Sequence, residues 1–83
     1  MNEKAYGEIR SKLDGEDWYF KNHDHRFRLT VDEVSRNRSG VGRILDIGCW
    51  PGYLAMYFKT QGWQVDAIDL RPDRIPLVAE AGV

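Results

Sequence analysis

Arg43-Ile44-Leu45-Asp46-Ile47-Gly48-Cys49-Trp50-Pro51-Gly52-Tyr53, followed by Val65-Asp66-Ala67-Ile68-Asp69, is the stretch that decides the fold. A short apolar run ends in a carboxylate and turns through two glycines. A helical pattern then leads to a second apolar run, closed by another carboxylate. From Arg43 to Ile47 the apolar residues are neighbours rather than strictly alternating, which suits a parallel strand covered on both faces. Pro51 to Gln61 predicts a helix. Pro51 fits an early helical position, where its missing N–H has no partner to lose, and Gly62 stands where a left-handed C-terminal cap belongs. Leu54, Ala55, Phe58 and Tyr57 form its expected buried stripe. Gln64 to Leu70 reads as the second strand, apolar at Val65, Ala67 and Ile68. Asp73 can cap a last helix, with Pro76 in its first turn and Gly82 closing it. Strand, helix, strand, helix in this order predicts a parallel, right-handed α/β unit.

Upstream the text changes character. Met1 to Leu13 predicts a helix with Tyr6, Ile9 and Leu13 on one stripe, weakened by Gly7. Asp14-Gly15 reads as a turn, and Asp17 can cap a short helical turn holding Trp18, Tyr19 and Phe20. A longer helix is expected from about His23 to Asn37. Phe27, Val31 and Val34 lie at i, i+4 and i+7 with Thr30 beside them, and Arg26, Arg28, Asp32, Glu33 and Arg36 face solvent. Ser39-Gly40 ends it, with Arg36 and Arg38 favouring the negative end of the helix dipole. The expected organisation is an N-terminal helical cap segment over residues 1–40 and the first half of an open parallel-sheet domain over 41–83.

At 83 residues the chain is one small domain or part of one. A chain near this length buries only about 60% of the surface its unfolded form exposes, so it is marginal without staples. Hydrophobic residues make up 42% and charged residues 30%, an ordinary balance that argues against disorder. A net charge of -1 gives no global field toward nucleic acid or an anionic membrane. The single cysteine rules out an internal disulfide. Met1 to Arg10 is polar and does not read as a secretory signal. No apolar run approaches the roughly 20 residues needed to span a bilayer, and the expected location is cytoplasmic. His23 and His25 would diverge by about 200° on a helix, too far to share an ion, so no metal is expected. Trp18, Tyr19 and Phe20 with Arg26 and Arg28 could stack on bases, yet Glu16, Asp17, Asp24 and Asp32 are interleaved with them. A packed cap is the better reading, and nucleic acid is not an expected partner.

The chemistry concentrates where the first strand turns. A helix opening directly after a parallel strand points backbone N–H groups at the crevice above the strand end, and glycines let a ligand approach the main chain. Asp69, at the corresponding end of the next strand, lies roughly 20 residues beyond Gly48, the spacing at which a carboxylate accepts hydrogen bonds from both hydroxyls of a ribose. Two ligand classes follow. The nicotinamide dinucleotide fingerprint is G-x-G-x-x-G, but Trp50 occupies the middle glycine position and Tyr53 the place of a small residue. Asp46 at the mouth of the turn would repel a pyrophosphate and suits a cationic ligand carrying an ammonium and a sulfonium. Cys49 reads as a small turn residue, because no neighbouring base marks it as a nucleophile.

Asp46-Ile47-Gly48-Cys49-Trp50-Pro51-Gly52 resembles the first motif of class I S-adenosylmethionine-dependent methyltransferases, D/E-x-G-x-G-x-G, and Val65-Asp66-Ala67-Ile68-Asp69 resembles their second-strand motif. The resemblance covers residues 41 to 83 and implies an incomplete Rossmann-like α/β fold: N-terminal helices, then the first β-α-β-α units of a parallel sheet. It implies S-adenosyl-L-methionine as cofactor. Gly48, Cys49, Trp50, Gly52 and Tyr53 would belong to the turn around its methionine part. Asp46 would act near the ammonium, Asp69 would bind the ribose hydroxyls, and Leu70 would lie against the adenine. Tyr19 and His25 of the leading segment are candidate cofactor contacts, since such segments close over the cofactor in these enzymes. Trp50 departs from the pattern, and its bulk must point away from the ligand or form a pocket wall. The family's substrate and catalytic residues fall on later strands, so catalytic residues are expected beyond Val83 and the acceptor is not legible. The piece alone is expected to be marginal, to bind the cofactor weakly if at all and to have no turnover, with one apolar sheet face thinly covered and an open sheet edge suited to self-association. The alternatives are a fragment of an NAD-dependent oxidoreductase and a non-catalytic interaction module.

Overall fold

The computed structural model describes residues 1–12, 17–38, 40–50, 52–70, 79 and 82–83. Leu13, the Asp14-Gly15 turn, Ser39, Pro51 and the last helix expected after Asp73 lie outside the described residues. The chain divides into two compact units, Met1–Gly40 and Val41–Val83. Helices come first and a small parallel sheet follows, the α/β arrangement of an incomplete Rossmann-like fragment. Among the described residues no helix is long and apolar enough to cross a membrane.

The first unit contains helix α1 (Glu3–Lys12) and helix α2 (Asp17–Asn37). Asn2 caps α1: its side-chain oxygen accepts the Ala5 N–H at 3.1 Å, and Glu3 places negative charge in the first turn. Tyr6 and Ile9 are each 2% exposed, the stripe the periodicity predicts. Helix α2 is continuous, where the sequence suggested a short turn and then a separate helix from His23. The reason is an aromatic row through the expected gap. Tyr19, His23 and Phe27 follow one another at four-residue spacing, with ring centroids 4.2 Å apart for the first pair and 6.3 Å for the second. Phe27 and Val31 are buried and Val34 half-buried, as expected.

The two helices are joined by side chains. The Tyr6 and Phe20 rings lie 5.3 Å apart, and the Arg10 guanidinium sits 4.3 Å over Phe20. Arg28, expected to face solvent, is instead half-buried. It pairs with both oxygens of Glu3, donates from Nε to the Asp24 carboxylate (2.9 Å, i,i+4), and lies 5.3 Å from the Tyr6 ring. These partners hold the Glu3 carboxyl below its ordinary range and raise the Arg28 guanidinium further.

The second unit contains strand β1 (Arg43–Ile47), helix α3 (Tyr53–Thr60) and strand β2 (Gln64–Ile68). The strands pair in parallel, Arg43 with Gln64 through Ile47 with Ile68. Helix α3 starts at Tyr53, later than the expected Pro51, because Gly52 precedes it in a left-handed conformation (φ 107°) that no helix interior accepts. It ends on a glycine cap. Gly62 (φ 94°) donates to the Lys59 carbonyl and Trp63 to the Phe58 carbonyl, both at 3.1 Å, which turns the chain into β2. Tyr53, Ala55, Met56, Tyr57 and Phe58 are buried while Leu54 is only half-buried. Burial runs nearly all round this helix instead of along a stripe, since apolar side chains fill almost every position.

Residues paired in register share a sheet face. Ile44 with Val65 and Asp46 with Ala67 lie on one; Leu45 with Asp66 and Ile47 with Ile68 lie on the other. Val65 is buried, but Leu45, Ile47 and Ile68 are 60%, 71% and 56% exposed. This matches the thinly covered apolar face expected of two parallel strands, while the covering on both faces that the apolar run suits is present on one side only. One face is packed and the other stays open.

Candidate functional site

The register carries both carboxylates to the same end of the sheet. Asp46 is the penultimate residue of β1, opposite Ala67, and Asp69 directly follows β2. Both are half-buried. Between them the chain bends at Gly48, whose φ of 73° favours glycine and above whose Cα a side chain would meet nothing within 4 Å. Gly52 supplies the second left-handed position at the start of α3.

The bend is laced to the neighbouring strand by its own amides. Gly48 and Cys49 both donate to the Ile68 carbonyl, at 2.8 and 3.2 Å, and the Trp50 N–H donates to Asp69 Oδ2 at 2.8 Å. This corrects the expectation that these amides face the crevice. The chain curls toward β2, so three consecutive N–H groups meet acceptors of the protein first. A pyrophosphate cradle is built from such amides; here it would have to displace one carbonyl and one carboxylate. Trp50 also proves compatible with the turn. Among the described residues every positive φ belongs to glycine, so position 50 does not require glycine's freedom.

Electrostatics agree in sign. Cys49 stands between the acids: burial raises its thiol above the ordinary cysteine range, and the charges of Asp46 and then Asp69 push it further. That argues against an activated thiolate and places two carboxylates beside the bend. An open hollow of about 280 Å³ lies beside it, lined by Ile47, Gly48, Ile68, Asp69 and Leu70. Complete small-molecule sites run to roughly 300–1,000 Å³, so the hollow has room for a nucleoside-sized part of a ligand. Leu70 is fully exposed there and gives an apolar surface beside the Asp69 carboxylate.

The structure thus gathers Asp46, Gly48, Cys49, Asp69 and Leu70 at one end of the sheet. Trp50 is half-buried and is not among the described residues lining the hollow. Tyr53 is 1% exposed at the start of α3. Tyr19 and His25 belong to α2 of the first unit; Tyr19 is half-buried, with its hydroxyl accepting from Arg26 Nη2 at 3.3 Å, and His25 is exposed. Two lining residues escaped the sequence reading, Ile47 and Ile68, which appeared only as strand interior. Their pairing in register at the last rung is the signal that places them at the mouth.

Comparison with known proteins supplies a relationship. Over 70 residues the chain is 33% identical to trans-aconitate 2-methyltransferase of Mycobacterium tuberculosis (strain H37Ra) and to the protein of the same name of Mycobacterium bovis (strain BCG), an alignment covering 81% of this chain. The chain spans 27% of the length of these curated relatives. No family profile and no solved structure matches. The similarity relates the chain, at a distance, to proteins named as methyltransferases.

Proposed function

We propose that residues 41–83 form the cofactor-binding beginning of an S-adenosylmethionine-dependent methyltransferase, with residues 1–40 as its helical cap segment. The observation that carries this reading is the lacing of the bend. With the amides of residues 48–50 donated to Ile68 and Asp69, and two carboxylates beside Cys49, the site disfavours a pyrophosphate and suits a cation. That choice separates S-adenosylmethionine from a nicotinamide dinucleotide, and the methyltransferase relatives point the same way.

In this reading Asp69 takes the ribose hydroxyls, an ionised carboxylate being a strong acceptor for a diol. Leu70 lies against the adenine, Gly48 admits the ligand close to the main chain, and Asp46 faces the ammonium end. Cys49, Trp50, Gly52 and Tyr53 shape the turn, and Tyr19 and His25 are the contacts proposed from the cap. Bound S-adenosylmethionine supplies a methyl group on a sulfonium; the residues here bind and orient it, and orientation for in-line attack is the main contribution such a site makes. The catalytic residues and the acceptor are assigned to no residue of this chain. The name of the relatives makes trans-aconitate the first acceptor to assay in a longer protein.

The test is a titration of the ¹⁵N-labelled chain with S-adenosylhomocysteine and, separately, with NAD. Amide shifts at residues 46–50 and 69–70 with the first ligand and none with the second are expected. Shifts with NAD alone would overturn the proposal.

A further inference from the structure

Alternate residues of a strand share a face, and the register carries that sharing across the pair. Arg43, Leu45 and Ile47 of β1 therefore stand beside Gln64, Asp66 and Ile68 of β2, and all six are exposed. On the opposite face Val65 is buried and Ile44, Asp46 and Ala67 are half-buried. Parallel strands occur almost only where both faces are covered, so the exposed face calls for a cover. Its layout is that of an interface. Leu45, Ile47 and Ile68 form an apolar centre, and Arg43 and Asp66 stand at the other end, their charged groups 3.6 Å apart and both largely exposed.

The charges choose the partner. This face carries one cation and one anion, a balance that gives no pull toward a strongly basic or strongly acidic partner. An anionic lipid surface is disfavoured, because Arg43 is answered by Asp66. A second copy matches the face. A two-fold axis along the strand direction lays β1 of each copy over β2 of the other, so that Ile47 meets Ile68 and Arg43 comes to the end that holds Asp66. Two copies also share one sheet twist, as aligned face-to-face packing requires. A net charge of -1 per chain leaves little repulsion between them.

We infer that a second copy of this chain packs on the face formed by Arg43, Leu45, Ile47, Asp66 and Ile68, giving a two-fold dimer joined through sheet faces and not through strand edges. Leu70, past the last rung, is left to the hollow. The inference stands on exposure, register and charge, and is independent of the ligand read for the hollow.

The test is sedimentation equilibrium of the full chain up to about 0.5 mM, high enough to populate the weak dimer of a small interface. The wild type is expected to form a discrete dimer. Ile47→Lys, at the centre of the face, is expected to weaken it by about tenfold or more. Arg43→Asp leaves two anions on the face and Asp66→Arg two cations, so each alone is expected to dimerise about tenfold more weakly or worse. Their equimolar mixture is expected to recover a dimer as tight as the wild type, since one copy then answers the other. Pairing through strand edges would be indifferent to all three substitutions. A wild type that stays monomeric, a dimer unchanged by Ile47→Lys, or a mixture that does not recover each overturns the inference. The substituted side chains are exposed, so the fold is expected to survive. Should a variant not fold, isotope-filtered NMR on an equal mixture of labelled and unlabelled wild type decides. Contacts between copies at the Ile47 and Ile68 methyls support the face, and contacts confined to the strand backbone overturn it.

Discussion

The two units are held in opposite ways. In Met1–Gly40 cohesion runs through side chains: Tyr6 on Phe20, Arg10 over Phe20, and Arg28 shared among Glu3, Asp24 and the Tyr6 ring. In Val41–Val83 the decisive connections at the site are main-chain donors: Gly48, Cys49 and Trp50 onto the end of β2, Gln64 onto Gly42, and the glycine cap of α3. The difference governs where each unit is sensitive to substitution. A side-chain network concentrates its vulnerability in a few large or charged residues. A backbone network tolerates most side chains and fails only where a conformation is special or where the acceptor is itself a side chain.

The largest effect is expected from the first unit's core. Ile9→Ala, at a position 2% exposed, should cost about 2–5 kcal/mol in a urea denaturation, the range for emptying a packed aliphatic site. Trp50→Ala, on the half-buried bend, should cost clearly less; equal losses would erase the contrast. Next comes Gly48→Ala. A Cβ there has room, so only the left-handed backbone conformation is strained, at about 1–2 kcal/mol. A neutral result would mean that the bend is not held at φ 73° in solution.

Arg28→Met should cost about 1 kcal/mol through its Asp24 pair and the Tyr6 contact, both partly solvated. Its pH signature is more telling. The folded Glu3 carboxyl titrates below its ordinary value of 4.5 because Arg28 bonds it. The stabilisation is therefore present above that value and is lost as pH falls through the lower folded pKa. The wild type should lose stability on acidification below about pH 4.5, and Arg28→Met should flatten that part of the profile. An unchanged acid slope in the variant would remove Arg28 as the link between α1 and α2.

Much of this contrast could be read from residue order. Strand β1, the parallel pairing and the Gly62 cap follow from apolar runs and glycine placement, because those signals are local. The two acids were placed at one end of the sheet by strand polarity alone. The direction of the amides at 48–50 was not legible, since it depends on how far the bend curls toward β2, a tertiary outcome. The continuity of α2 was missed for a similar reason: Tyr19, His23 and Phe27 have ordinary helix propensity, and only their stacking carries the helix past Asn22. The open sheet face was legible from the strand count rather than from the strands themselves: neighbouring apolar residues report what a covering layer would favour, whereas two parallel strands leave one apolar face thinly covered.

The smallest effect, on reactivity and not on stability, tests the electrostatic half of the site. With burial and the charges of Asp46 and Asp69 all raising the Cys49 thiol, less thiolate is present near neutral pH than in an open chain. Alkylation by iodoacetamide should be slower in the folded protein than after denaturation at the same pH. Asp46→Asn and Asp69→Asn should each speed it, Asp46→Asn more, because removing a negative neighbour lowers the thiol pKa and Asp46 is the stronger influence. Asp69→Asn also alters the acceptor of the Trp50 amide, so its rate would combine a charge effect with a looser bend. If neither substitution changes the rate while both proteins remain folded, the two carboxylates do not share the bend, and the argument for a cationic ligand loses its physical basis.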